Sequence, residues 1–138
     1  MELSNKRKPI FWNPDEGKNL CGACFKLEES DTTGKFSLYE ARFKPGKGPN
    51  LHVHEHQDEC FIIIEGEFEF FIDGELFQAQ AGSVVFIPMN TPHRFVNTGQ
   101  ASGRFYNILS PGPSHARGES REKEWELFLQ KQKEIIQK

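Results

Sequence analysis

Residues 58–80, Asp-Glu-Cys-Phe-Ile-Ile-Ile-Glu-Gly-Glu-Phe-Glu-Phe-Phe-Ile-Asp-Gly-Glu-Leu-Phe-Gln-Ala-Gln, decide the fold of this 138-residue chain. Cys60 to Ile64 is a continuous apolar run, typical of a core strand, and Gly66 interrupts it. In residues 67–72 apolar and acidic side chains alternate, which predicts a strand with one buried face. Asp73-Gly74 favours a two-residue hairpin turn, after which residues 75–80 return as a further strand.

Short strands continue on both sides of this stretch, with turn residues between them. The pattern predicts strands at Cys21–Glu28, Phe36–Phe43, Val84–Ile87, Arg94–Asn97 and Gly103–Leu109, with Val84–Ile87 buried. Residues 1–20 read as an arm with a short strand around Ile10 to Trp12. We therefore expect an all-β sandwich or closed barrel. Of the thirteen phenylalanines, six are expected mostly in its core, and whether a subset of them lines a pocket is left open; they are Phe61, Phe68, Phe70, Phe86, Phe95 and Phe105.

The end of the chain has a different pattern. Ser110-Pro111-Gly112-Pro113 breaks the strands, and residues after Gly118 show helical spacing with Ser120 as a plausible N-cap. The apolar positions of this helix are Trp125, Phe128, Leu129, Ile135 and Ile136. We predict that this stripe buries against the barrel or a second subunit. The predicted segments are an arm with the first strands (1–35), the barrel (36–110), and a linker with a C-terminal α-helix (111–138).

Three side chains near the core strand have the chemistry of metal ligands. On a strand, residues two apart point to the same face, so His52 and His54 are expected to project together. Glu59 shares the parity of Phe61, which predicts that its carboxylate faces inward. A buried carboxylate is costly without a partner, and a metal ion removes that cost.

His93 joins these residues from a distant segment, after the stiff turn between Pro88 and Pro92. Three imidazoles and one carboxylate suit one divalent transition metal ion, which is Fe, Mn, Ni, Co or Zn. The ligand types alone do not identify which of these metals binds. Each histidine taken singly is an ordinary surface or core residue, but the spaced set with Glu59 favours a metal site. Asp58 is the alternative acidic ligand, and His56 is expected in a solvated turn.

The same residues lie in a pattern that resembles the cupins. The first cupin motif, Gly-x5-His-x-His-x3-4-Glu-x6-Gly, is matched by Gly46, His52, His54, Glu59 and Gly66. The second, Gly-x5-Pro-x-Gly-x2-His-x3-Asn, is matched by Gly82, Pro88, His93 and Asn97, with Asn90 in place of the glycine. Asn tolerates a left-handed backbone, so we expect this turn to form. The resemblance implies a double-stranded β-helix, or jelly-roll, with the metal bound by His52, His54, Glu59 and His93.

A narrower likeness is carried by His-Val-His-x4-Glu leading into Phe-Ile-Ile-Ile-Glu-Gly, which resembles single-domain quercetin dioxygenase-like cupins. It implies a metal-dependent dioxygenase acting on a small hydroxylated or aromatic compound, with Glu59 also moving a substrate proton. Two alternatives stay open, because a fold does not fix its chemistry. They are a non-catalytic metal- or small-ligand-binding module, and a metal-dependent isomerase or lyase of a sugar or oxo acid.

Charge and composition exclude several other classes of protein. The net charge is −3 with both signs interspersed, which argues against nucleic acid as a partner. No apolar run reaches the length of a signal peptide or membrane span, so we predict a cytoplasmic protein with no membrane partner.

Three cysteines make no disulfide framework, and Cys21-Gly-Ala-Cys24 reads as two reduced thiols. Arg42, Arg94 and Arg104 are expected at the surface or rim. As single-barrel cupins are dimers as a rule, the resemblance implies a homodimer.

Overall fold

The computed structural model describes residues 7–20 and 22–112, and there the chain forms nine β-strands and one short 3-10 helix. The strands are β1 (Lys18–Leu20), β2 (Ala23–Leu27), β3 (Ser37–Phe43), β4 (Asp58–Glu65), β5 (Glu67–Ile72), β6 (Glu75–Gln80), β7 (Val84–Ile87), β8 (His93–Asn97) and β9 (Gly103–Ser110). The 3-10 helix, Glu29–Thr32, lies between β2 and β3. The predicted all-β class is confirmed.

The strands form two antiparallel sheets. The larger sheet has the order β1-β2-β3-β9-β4-β7, and the smaller has the order β6-β5-β8. The chain changes sheet across Gly66, between β4 and β5, and again across residues 81–83. Two facing antiparallel sheets connected in this way form the predicted jelly-roll barrel.

Aromatic side chains from both sheets fill the barrel. The buried phenylalanines are Phe61, Phe68, Phe70, Phe95 and Phe105. Their ring centroids lie 5.0–6.1 Å apart, and most pairs meet edge to face. Each such side chain stabilises the fold by roughly 1.5–3 kcal/mol through the area it removes from water. This cluster is the main core of the barrel.

Two turns have the backbone that the sequence predicts. Asp73 and Gly74 both have positive φ, 48° and 87°, as a two-residue hairpin with matching twist requires. Asn90 has φ of 65°, so it adopts the left-handed conformation expected where the cupin motif has glycine. The turn before His93 therefore forms despite the substitution.

Two sequence expectations about the fold differ from the structure, and one lies outside the described residues. Residues 10–12 form no strand, whereas β1, which was not predicted, pairs with β2. The prediction that Val84–Ile87 is buried was wrong for Val84 and Phe86, which are 65% and 58% exposed. The reason is that β7 is an edge strand whose alternate residues face solvent. The predicted C-terminal helix lies outside the described residues.

No helix among the described residues is long and apolar enough to span a membrane.

Candidate metal centre

Three histidines meet at one mouth of the barrel. His93 begins β8, and its backbone exchanges two hydrogen bonds with His52, of 3.0 and 2.9 Å. His54 is fixed by Asn90, whose N–H donates to the His54 carbonyl at 2.8 Å. The ligand atoms of the three imidazoles all lie within 4.8 Å of one another. The sequence placed His52 and His54 on a strand, but a single bridge at His52 positions them instead.

Backbone carbonyls fix the orientation of two of these rings. Nδ1 of His52 lies 2.8 Å from the carbonyl of Asn50, and Nδ1 of His93 lies 2.8 Å from the carbonyl of Thr91. A carbonyl can only accept, so both Nδ1 atoms carry hydrogen. In each neutral ring the lone pair is then on Nε2, which is the usual arrangement for a metal-bound histidine.

Glu59 is buried between two of the histidines. It is the second residue of β4 and is 4% exposed. Its Oε1 lies 3.0 Å from Nε2 of His93 and 3.3 Å from Nε2 of His54. The inward orientation predicted from the parity of Phe61 is the one that the structure has.

This donor set fits a divalent cation. With its hydrogen on Nδ1, a neutral His93 presents only a lone pair to the Glu59 carboxylate, and two such atoms 3.0 Å apart repel unless a cation or proton lies with them. Adjacent ligands of an octahedral ion with bonds of about 2.1 Å are roughly 3 Å apart. The contacts of Glu59 with His54 and His93 have this spacing, so the three histidines can hold a divalent metal ion beside the carboxylate.

The charges at the site are strongly coupled. Burial lowers the pKa of His52 to about 4, although its hydrogen bond to Asn50 works in the other direction. Burial by itself would lower the pKa of His93, but the hydrogen bond and negative charge of Glu59 raise it above the ordinary value. Burial also opposes ionisation of Glu59, yet its contacts with His54 and His93 hold the carboxyl pKa well below its usual range. Glu59 is therefore ionised at neutral pH.

Two residues behind Glu59 were missed by the motif analysis. Asn107 of β9 is 1% exposed, and its Nδ2 donates to Oε2 of Glu59 at 2.8 Å. Its Oδ1 is buried and has no hydrogen-bond partner in the part of the chain described. Tyr39 faces Asn107 across β3 and β9, and burial together with the Glu59 charge raises the pKa of its hydroxyl. One sequence signal pointed to Asn107, since it is a polar residue at the inward parity between Phe105 and Leu109.

The other polar candidates lie away from the histidines. The Asp58 carboxylate accepts a hydrogen bond from the Met89 N–H at 3.0 Å. It therefore holds the turn before His93 and is not a member of the histidine cluster. His56 is exposed and lies near Glu55. Arg42 and Arg104 contact the buried Glu40 carboxylate. Cys24 and Cys60 are free thiols.

The fold and the converging imidazoles define the class of protein: a small antiparallel β-barrel with a candidate metal site at its mouth. Within that class, the chain belongs to the cupin family: the family model described as a cupin domain matches residues 39–109. The motif resemblance is thus confirmed at the level of the family.

Comparison with individual proteins identifies relatives of several kinds. The chain is 35% identical to "Polyketide synthase CurC" of Streptomyces cyaneus over 104 residues, which cover 75% of this chain and 66% of that protein. It is 28% identical to quercetin 2,3-dioxygenase of Bacillus subtilis over 67 residues, 49% of this chain and 20% of that protein. The chain therefore spans slightly less than two thirds of the first relative and a fifth of the second.

A solved structure shares both the fold and part of the sequence. The crystal structure of a predicted oxalate decarboxylase from Thermotoga maritima superposes with a TM-score of 0.62 and 26% identity. The superposition covers 64% of this chain and 78% of that one. The jelly-roll fold is the same in both proteins.

Proposed function

We propose that this cupin is a metal-dependent dioxygenase acting on a small hydroxylated or aromatic compound. The observation that carries the proposal is the position of Glu59, a buried carboxylate in contact with His54 and His93 at the mouth of an aromatic-filled barrel. A divalent ion held there would supply Lewis-acid chemistry, binding a substrate oxygen and lowering its pKa.

The residues of the site have separate roles in this proposal. His52, His54 and His93 would hold the metal through nitrogen, and Glu59 would be the fourth ligand through its carboxylate. Because Glu59 is ionised at neutral pH, it can accept the hydroxyl proton that the substrate loses on binding. Asn107 holds Oε2 and so leaves Oε1 directed toward the histidines.

The similar proteins support an oxygen-rich substrate. One relative is named for polyketide synthesis and another for dioxygenation of quercetin. Polyketides and quercetin both carry keto and hydroxyl oxygens that a Lewis acid can bind.

A second candidate function is a metal-dependent lyase of a small oxo acid. It is favoured by the similarity to the structure described as a predicted oxalate decarboxylase. A carboxylate compound of this kind would also bind a metal ion at the histidines, and its cleavage would consume no dioxygen.

Oxygen uptake separates these functions. The purified chain, loaded in turn with Fe, Mn, Co, Ni or Zn as the divalent ion, is mixed with a flavonol or with oxalate in an oxygen-electrode cell and, in parallel, under nitrogen. The dioxygenase proposal expects one dioxygen consumed per phenol consumed and no product under nitrogen. Glu59→Gln should remove turnover, whereas His56→Gln, at an exposed position, should not.

Other results would overturn the proposal. Equal product formation from oxalate with and without air would indicate the lyase. Saturable binding of either compound with no turnover by any metal form would indicate a binding module without catalysis.

A further inference from the structure

The outer face of the larger sheet, the surface directed away from the phenylalanine core, is unusually apolar. Residues paired across neighbouring strands share a face, so the register shows which side chains lie there. One row across five strands is Leu27, Leu38, Ile108, Cys60 and Phe86. The next row has the buried Glu40 on β3, followed by Tyr106, Ile62 and Val84. We call the eight residues other than Glu40 the outer apolar face.

None of these eight side chains is buried, although most would normally be found in a core. Val84 and Phe86 are largely exposed, and the other six are partly exposed. A contiguous exposed apolar surface of this kind usually marks a site where another segment or molecule binds. The opposite face of the same strands is fully used by the core, so packing inside the barrel does not explain the composition.

The described chain ends beside this face. After β9, the N–H of Gly112 donates to the carbonyl of Gly34 at 3.1 Å, and Ser110 Oγ donates to the carbonyl of Lys35 at 2.8 Å. Lys35 is three residues before Leu38, and Gly112 is four residues after Ile108, two members of the first row. The following segment therefore begins at the edge of the outer apolar face.

We propose that residues 113–138 of the same chain bind to the outer apolar face. Their sequence has an apolar stripe at helical spacing, formed by Trp125, Phe128, Leu129, Ile135 and Ile136. An isolated helix of this length is marginal in water and requires an apolar surface to be stable. The apolar stripe needs an apolar surface to pack against, and the outer apolar face needs a cover that removes it from water.

The dimensions of the two surfaces agree. The first row crosses four strand-to-strand gaps from Leu27 to Phe86, about 19 Å at the usual spacing. A helix from Trp125 to Ile136 is about 17 Å long. The residues between Gly112 and Trp125, in extended form, reach up to roughly 40 Å, so they can place the helix anywhere along the row.

Cys60 provides a direct test because it lies within the row. In full-length protein carrying Cys21→Ser and Cys24→Ser, either Leu129→Cys or Ile136→Cys places a thiol on the predicted stripe. The matched control is Gln130→Cys, one residue away from Leu129 but on the polar side of the helix. After mild oxidation at low protein concentration, we expect at least one stripe variant to form an intrachain disulfide with Cys60, several-fold faster than the control. Non-reducing gels and peptide mass spectrometry measure both the rate and the pairing.

Two outcomes of this experiment would overturn the proposal. One is a set of disulfides between Cys60 and residues 129 or 136 that join two chains only, which would mean that a second copy covers the face. The other is equal or absent cross-linking in the stripe and control variants.

Fluorescence gives a second measurement that does not depend on cysteine. In a Trp12→Phe background, Trp125 is the remaining tryptophan. Phe86→Asp should shift its emission to longer wavelength, whereas Leu76→Asp should leave it unchanged. Phe86 and Leu76 are 58% and 59% exposed, on edge strands of different sheets, so the two substitutions are matched in burial and chemistry. Emission typical of a fully hydrated indole before any substitution at position 86 would contradict the proposal.

Discussion

Asn97 and Asn107 lie at opposite ends of the barrel interior, and both are 1% exposed. The amide of Asn97 donates to the carbonyls of Phe43 and Ala101, and its Oδ1 accepts from the Gly99 N–H. The amide of Asn107 donates to Glu59 instead, and its Oδ1 has no partner among the described residues. The first asparagine is fully used in holding the backbone, whereas the second holds a side chain of the candidate metal centre.

The alternation of inward and outward side chains along the strands produces both polar ends of the barrel interior. The inward-facing residues of β8 are His93, Phe95 and Asn97, and those at the start of β4 are Glu59 and Phe61, so each strand places a polar group at the mouth and an aromatic ring below it. The phenylalanine layer stabilises the fold, so the barrel can tolerate buried polar groups at its mouth even though they are costly there. Buried polar groups with incomplete hydrogen bonding are costly, so their survival at one end indicates a functional reason.

The largest expected effect comes from breaking the aromatic layer between the two ends. Phe61 is 1% exposed and contacts the rings of Phe70, Phe95 and Phe105. Phe61→Ala should lower the free energy of unfolding by about 3–5 kcal/mol, from lost burial and the cavity that remains. Urea denaturation followed by circular dichroism measures this. Leu76→Ala, at an exposed position on the smaller sheet, is the control, and an equal loss in the two variants would contradict the assignment of the core.

Removing a ligand should abolish the mouth as a metal site while leaving the other end intact. His54→Ala should lose most of the bound metal, because the two remaining imidazoles no longer enclose the ion. Elemental analysis after desalting measures the stoichiometry. His56→Ala, which changes an exposed histidine two residues away, should retain the metal. Full retention in His54→Ala would mean that the proposed ligand set is wrong.

The sequence predicted most of this architecture because the alternation, the Asp73-Gly74 turn and the breaks at Gly66 and Pro88 are local signals. Each depends on residues that are near one another in the chain, so no tertiary information is needed. The grouping of the candidate ligands was also accessible, since the spacing of His52, His54 and Glu59 restricts which side chains can share a face. His93 was added from its position after the stiff turn between Pro88 and Pro92, and the resemblance of its surroundings to a known motif supported that choice.

The parts that escaped prediction depend on contacts between distant strands. Phe86 has the same local pattern as a core residue, and only the strand order shows that β7 is an edge. Asn107 joins Glu59 because β9 lies beside β4, a neighbour that is 48 residues away in the sequence. Local periodicity contains neither fact.

Exchanging the two asparagines for leucine sharpens the comparison between the ends. Asn107→Leu removes the donor to Glu59 Oε2 and should weaken metal binding by about 10–100-fold, as expected for a residue that orients a ligand. Asn97→Leu should leave metal affinity nearly unchanged but lower the free energy of unfolding by about 1–3 kcal/mol, because backbone groups lose their partners. Calorimetric titration and urea denaturation of both variants test this. Equal effects of the two substitutions on metal affinity would remove the distinction between the ends.

The smallest expected effect distinguishes two histidines within the metal end. In the metal-free protein His52 should titrate near pH 4 because burial lowers its pKa, whereas His93 should titrate above its ordinary 6.5 because Glu59 stabilises its charged form. The raised pKa of His93 contributes stability that is fully present below pH 6.5 and is lost as pH rises through the folded-state pKa. A metal must displace this proton, so metal affinity should increase over the same range, while His52 adds no dependence above about pH 4. Imidazole nitrogen NMR of the metal-free protein follows both rings, and a His52 that titrates at higher pH than His93 would contradict the assigned contacts.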